Sequence, residues 1–251
     1  MKEEKNPAIT TVDPQEIAKF SAMADEWWNP QGKFKPLHRL NPVRIAYIRD
    51  TILSHFHKEK TAEQPLSGIN LLDIGCGGGL LTEPMTRLGA DATGIDASEK
   101  NIRIASLHAE QQGITPHYFH TSAEELAAAG KQFDVVLAME IIEHVADVPA
   151  FINACATLVK PGGLMFLATL NRTVKSFTFA IVGAEYILRW LPRGTHDWHK
   201  FLTPSEVEAE LRHHGLTLKE LQGVTYNPLK DSWKLSDDLR INYMLHAVKA
   251  D

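Results

Sequence analysis

Asn70-Leu71-Leu72-Asp73-Ile74-Gly75-Cys76-Gly77-Gly78-Gly79-Leu80 is the stretch around which the chain is organised. Ile69, Leu71, Leu72 and Ile74 form a short apolar run, as expected of a strand covered on both faces. The glycines after it supply positive φ and let a ligand approach the backbone with no Cβ in the way. A helix is expected from near Leu80, its free N–H groups pointing back at the loop, which favours polar or anionic ligand groups. No Gly-Lys-Ser/Thr closes the loop, so nothing marks a triphosphate site. The pattern is not G-x-G-x-x-G either. The sixth position from Gly75 is Leu80, where a dinucleotide turn has a third glycine for close helix–strand packing. Ala92-Thr93-Gly94-Ile95-Asp96 reads as a second strand ending in an acid, and a carboxylate there can accept both hydroxyls of a ribose.

Asp73-x-Gly75-x-Gly77-x-Gly79 with Asp96 resembles motif I and the following acidic position of class I S-adenosylmethionine methyltransferases. The resemblance implies an α/β, Rossmann-like fold with a mostly parallel seven-stranded sheet and helices on both faces. It also implies that Asp73, Gly75 and Gly77 line the methionine half of S-adenosyl-L-methionine while Asp96 holds its ribose.

A chain of 251 residues suits one domain with a sizeable core. The expected division is an N-terminal helical arm and linker (1–68), a cofactor-binding core (69–170), an insertion (171–200) and the last part of the sheet (201–251). The formal charge of −5 gives no field suited to nucleic acid. Cys76 and Cys155 are the only cysteines, so a disulfide framework is not expected, and neither has zinc-site spacing. Met1 to Pro7 is charged, with no apolar signal-peptide core, and no run of about eighteen apolar residues marks a spanning helix.

Asp13-Pro14-Gln15-Glu16 reads as a helix start, with Asp13 as N-cap and Glu16 three residues on. Ile17, Phe20, Met23 or Ala24, and Trp27 or Trp28 recur at helical spacing, which predicts an aromatic face docked on the core. The prolines and glycine of residues 29–41 mark a loop, and Pro42 is expected to open a helix through Ile45, Ile48 and Ile52. Such an arm can fold across the cofactor mouth. Arg44 then either pairs with the cofactor's carboxylate or is a solvated charge. Residues 55–68 read as a polar linker.

Beyond the second strand, Ser98 opens a helix, His117–His120 is strand three and Phe133–Ala138 is strand four. At the turn after strand three, Ala123 and Glu124 are candidates for the adenine, though Ser122 with Glu125 equally suits a simple capping box. Met139 flanks the expected pocket. Glu140, Glu143 and His144 stand at i, i+3 and i+4 and share a face if that turn is helical. They suit one divalent cation or a phenolic proton; the plain alternative is a histidine stabilised by a neighbouring acid. A helix over 148–158 and a turn at Val159–Gly163 precede strand five, Leu164–Thr169.

Glu26-Trp27-Trp28, Phe34-Lys35-Pro36-Leu37-His38-Arg39, Asn41-Pro42-x-Arg44, Met139-Glu140-x-x-Glu143-His144, Leu170-Asn171-Arg172-Thr173, residues 182–189, Gly194-Thr195-His196-Asp197, Tyr226-Asn227-Pro228 and Asn242-Tyr243-Met244-Leu245-His246 occur in order. Together they resemble the O-methyltransferases of ubiquinone biosynthesis, over nearly the whole chain. The resemblance implies methyl transfer to a phenolic hydroxyl of a polyprenylated ring, at two steps, or in a broader reading to another hydrophobic phenol. It carries over Arg44, Gly75, Asp96 and Met139 as cofactor contacts, and Glu140, Glu143 and His144 as ligands for magnesium. His144 is the candidate base, in competition with a cation that lowers the phenol's pKa. An NAD-dependent oxidoreductase is disfavoured by Leu80, and a non-catalytic lipid-binding relative by the intact loop and Asp96.

Arg172 to Lys200 exceeds what a compact core needs after strand five. Ser176 to Leu191 reads as a helix with one broad apolar face, flanked by Arg172, Lys175, Arg189, Arg193 and Lys200. That pattern suits a helix lying in a membrane interface, or a lid or dimer contact. The expectation is a cytoplasmic enzyme held peripherally at the inner membrane through residues 172–200, with other ubiquinone-biosynthesis enzymes as candidate partners.

Overall fold

In the computed structural model, which describes residues 10–177, 198–227 and 232–251, the apolar run is strand β1 (Asn70–Ile74), buried from Leu71 onward. Strands β2 (Asp91–Asp96), β3 (His117–His120), β4 (Phe133–Met139) and β5 (Val159–Leu170) complete a parallel half in the order β3-β2-β1-β4-β5. The sheet continues antiparallel through β8 (Asn242–Lys249), β6 (Leu216–Asn227) and β7 (Ser232–Ser236). The class is the expected one, but the sheet has eight strands among the described residues where seven were expected. The addition is the edge strand β7, too short and exposed to carry a readable alternation. Strand β5 starts earlier than expected: Val159 pairs with Phe133, the register shifts, and Gly162 turns with φ +69° before regular pairing resumes at Leu164.

Side-chain alternation splits the core into two layers. Leu72, Ile74, Val136, Leu167 and Leu245 pack with α6 (Val148–Leu158) on one face, while Leu71, Val135 and Phe166 meet Ile48, Ile52 and Met85 on the other. Caps read from the sequence form: the Ser98 hydroxyl accepts from the Asn101 N–H at the head of α4 (Glu99–Gln112), which buries Ile102, Ala105 and Ala109. The helix after the glycine loop, α3 (Thr82–Arg87), starts two residues beyond Leu80.

The arm comprises α1 (Pro14–Met23) and α2 (Lys35–His55). Helix α2 begins seven residues before the expected Pro42. Pro36 already occupies its first turn, where a missing N–H costs nothing, and burial of Leu40, Tyr47, Ile48 and Ile52 carries the helix through Pro42. A third cluster of Met23, Ala24, Trp27, Phe34 and Leu80 seats the arm on the glycine loop. Of the insertion, one helical turn at Val174–Ser176 and a 3-10 turn at Trp198–Lys200 are described. The amphipathic helix expected over 176–191 falls mainly on residues 178–197, outside the described residues, as do the motifs at 182–189 and 194–197, Pro228 and the charged start of the chain.

Candidate active site

The glycine loop is held by main-chain bonds. The Gly75 and Cys76 N–H groups donate to the Ile95 carbonyl at 2.8 and 3.0 Å, and the Gly77 N–H donates to Asp96 Oδ2 at 3.0 Å. Gly75 and Gly77 have φ of +68° and +55°, in the left-handed region that favours glycine. Asp96 Oδ1 accepts from the Ser98 N–H at 2.7 Å and from Asn101 Nδ2 at 3.2 Å. Burial raises the Asp96 carboxyl, against these hydrogen bonds.

Above the loop and the carboxyl ends of the strands lies a cavity of about 870 Å³. Arg44, Asp73, Gly75, Gly77, Asp96, Ala123, Glu124, Met139, Glu140, Glu143 and His144 all line it. Their engagements differ. Asp73 Oδ2 accepts the Thr82 hydroxyl at 2.6 Å. Burial pushes its carboxyl up to about 7, with the Thr82 bond opposing and the Asp96 charge adding. Ser122 and Glu125 form the capping box, while the next residues, Ala123 and Glu124, face the cavity; Glu124 also accepts the Thr11 hydroxyl.

The expectation that Glu140, Glu143 and His144 share a helical face fails. Glu140 sits in the left-handed region at φ +55°, and a short 3-10 turn, Ile142–His144, follows. The break sends the three side chains apart. Glu140 Oε1 accepts from the buried Arg44 at 2.7 Å. Glu143 accepts the Thr169 hydroxyl at 2.9 Å, and burial raises its carboxyl. His144 Nδ1 meets Glu16 Oε2 at 2.9 Å. Among the described residues no group of three His, Cys, Asp or Glu side chains is arranged to hold a metal ion, so the expected magnesium ligand set does not assemble.

Sequence reasoning missed Glu16 and Trp27. Glu16 looked like a capping acid, yet it lies four residues before Phe20 and so shares the helix face read as inward. Trp27 lies over the loop, donating from Nε1 to Asn101 Oδ1 at 3.0 Å and stacking on Phe34 at 3.7 Å. Trp28 Nε1 donates to the Gly78 carbonyl at 2.8 Å.

The lining suits a nucleoside joined to an amino acid. Asp96 offers acceptors at the tip of β2, and Arg44 is a buried cation whose Nε has no hydrogen-bond partner among the described residues. A methyltransferase-domain family model matches residues 45–221. The ubiquinone biosynthesis O-methyltransferase of Parvibaculum lavamentivorans is 59% identical over 243 residues, covering 97% of this chain and 96% of that one. The protein of the same name from Cereibacter sphaeroides is 58% identical over 243 residues, covering 96% and 98%. The magnesium protoporphyrin IX methyltransferase of Synechocystis PCC 6803, solved with bound S-adenosylhomocysteine, shares the fold with a TM-score of 0.65 at 18% identity, covering 93% and 95%. An S-adenosylmethionine-dependent methyltransferase from Clostridium acetobutylicum does so with a TM-score of 0.60 at 12% identity, covering 93% and 99%. With more than half its residues shared along nearly its full length, the chain belongs to the ubiquinone biosynthesis O-methyltransferase family.

Proposed function

We propose that this methyltransferase transfers a methyl group from S-adenosyl-L-methionine to a phenolic hydroxyl of polyprenylated ubiquinone precursors, at both O-methylation steps. The observation that carries this reading is family membership over nearly the full length. The bound cofactor supplies an electrophilic methyl carbon. The chain must then hold the phenol in line with it and take away a proton. In this reading Asp96 accepts the ribose hydroxyls, Arg44 exchanges Glu140 for the cofactor's carboxylate, and Met139, Ala123 and Glu124 flank the adenine. Phe20, Leu37, Leu40 and Val224 give the acceptor ring an apolar wall. His144 takes the phenolic proton. Because Glu140, Glu143 and His144 diverge, no step is assigned to a cation.

Residues 172–200 are proposed to rest on the inner-membrane surface, where a polyprenyl tail would reside. The sequence pattern of apolar face and flanking cations supports this. Within the described part, Arg172, Lys175 and Lys200 pair with Glu206, Asp238 and Asp13. No helix among the described residues is long and apolar enough to cross a membrane.

The test is methyl transfer from labelled cofactor to a panel of prenylated catechols, demethylubiquinol and unprenylated phenols. Turnover of both prenylated classes is expected. Efficient turnover of unprenylated phenols alone would move the assignment to another hydrophobic phenol.

A further inference from the structure

Glu16 and His144 lie 128 positions apart and meet because α1 is laid across the cavity mouth. The Thr11 carbonyl accepts from the Ala146 N–H at 2.8 Å, and the Thr11 hydroxyl donates to Glu124. From the far end of the insertion, Lys200 Nζ reaches Asp13 at 3.1 Å and Glu16 at 3.9 Å. Phe20, one turn beyond Glu16, sets its ring edge-on to the imidazole with centroids 5.1 Å apart. The two partners are 19% and 13% exposed, so the contact is largely withdrawn from water. Burial works to raise the Glu16 carboxyl, but the hydrogen bond and charge of His144, with Lys19 and Lys200, hold it below the usual range. An ionised carboxylate can only accept. In the neutral imidazole Nδ1 then carries the hydrogen, and Nε2 is the nitrogen whose lone pair takes a proton.

We propose that Glu16 is a positioning residue for methyl transfer: from the N-terminal helix it fixes the ring and tautomer of His144, so that seating the arm completes the acid–base pair. This rests on the reading of His144 as proton acceptor. The phenolic O–H bond breaks and its proton passes to Nε2. The oxygen's electron pair forms the new bond to the methyl carbon, and the pair of the departing sulfur–carbon bond stays on sulfur. Asp13 and Lys200 support the pair at one remove, joining the arm to the insertion's return.

The experiment uses the full chain with Glu16→Gln, Glu16→Asp, His144→Ala and the double variant Glu16→Gln/His144→Ala. Glu16→Gln is expected to lower kcat roughly 10–100-fold, part of the effect of a general base. Cofactor affinity by calorimetry and KM for the acceptor should stay near wild type. The deficit should shrink for a more acidic nitrated catechol, which needs less help to lose its proton. Glu16→Asp should recover part of the rate, and it carries the test should Glu16→Gln not fold. In the double variant, loss of Glu16 should add little to loss of His144. Multiplying losses, or a fall in cofactor affinity that accounts for the lost rate, would overturn the proposal and leave Glu16 a mere clasp for the arm. Normal turnover by Glu16→Gln with a dead His144→Ala would sink this inference alone; normal turnover by His144→Ala would sink the base reading beneath it.

Discussion

Gly77→Ala tests how closely the arm is seated on the glycine loop. The new Cβ would fall 2.4 Å from Cζ2 and 2.5 Å from Cη2 of Trp27. That ring cannot simply swing aside: it is 8% exposed, stacked on Phe34 and bonded to Asn101. Alanine at φ +55° also carries a backbone cost of about 1 kcal/mol. Displacing the ring forfeits an indole hydrogen bond worth about 1 kcal/mol and an aromatic stack worth about 1 kcal/mol. The expected loss is about 3 kcal/mol, read as a lower urea midpoint at unchanged slope. In a Trp27→Ala background only the backbone part remains, so the same substitution should cost about 1 kcal/mol and the double-mutant cycle should show about 2 kcal/mol of coupling. An equal cost in both backgrounds would refute the argument that Trp27 is what the missing Cβ makes room for.

Asp96→Ala should weaken cofactor binding by roughly 1.5–3 kcal/mol in calorimetry; unchanged affinity in a folded variant would remove the ribose assignment. Asp73, whose carboxyl is held near 7 by burial, binds its proton more tightly folded than unfolded. Its contribution to stability is therefore complete below the ordinary 3.8 and is lost as pH rises through about 7. Asp73→Asn should gain on wild type in melting temperature as pH rises from about 4 to about 7 and level off above that, and a pH-independent difference would contradict the burial argument. Dialysis against EDTA should leave methyl transfer intact; loss restored by magnesium alone would return the acidic pair to a metal role. Wild type should pellet with anionic vesicles at low salt, and Ile181→Glu and Leu188→Glu should reduce this; equal pelleting of both folded variants would end the membrane proposal.

The central half of the sheet was legible because its signals are local: an apolar run, glycines where the chain turns, and Ser98 before a helical period. Pro42 misled because Pro36 six residues earlier gives the same first-turn signal, and only packing shows which proline starts the helix. The three candidate residues after β4 all line one cavity, yet their mutual geometry was not readable. It turns on the left-handed backbone of Glu140, a conformation no residue type there announces, and on Arg44, 96 positions away. Glu16 was hidden for the same reason: its partner is set by where the arm docks, which local spacing does not encode.

The arm also carries its own optical reporter. Trp27 and Trp28 are two of the chain's five tryptophans, and both are seated on the glycine loop, one against Phe34 and one against His108. An indole in that setting emits at shorter wavelength than one in water, so lifting the arm should redshift and requench the emission of the unlabelled protein. Stopped-flow fluorescence would then time the entry of cofactor and the exit of its demethylated product separately from the bond-making step, and would reveal whether release, not chemistry, sets the pace of turnover.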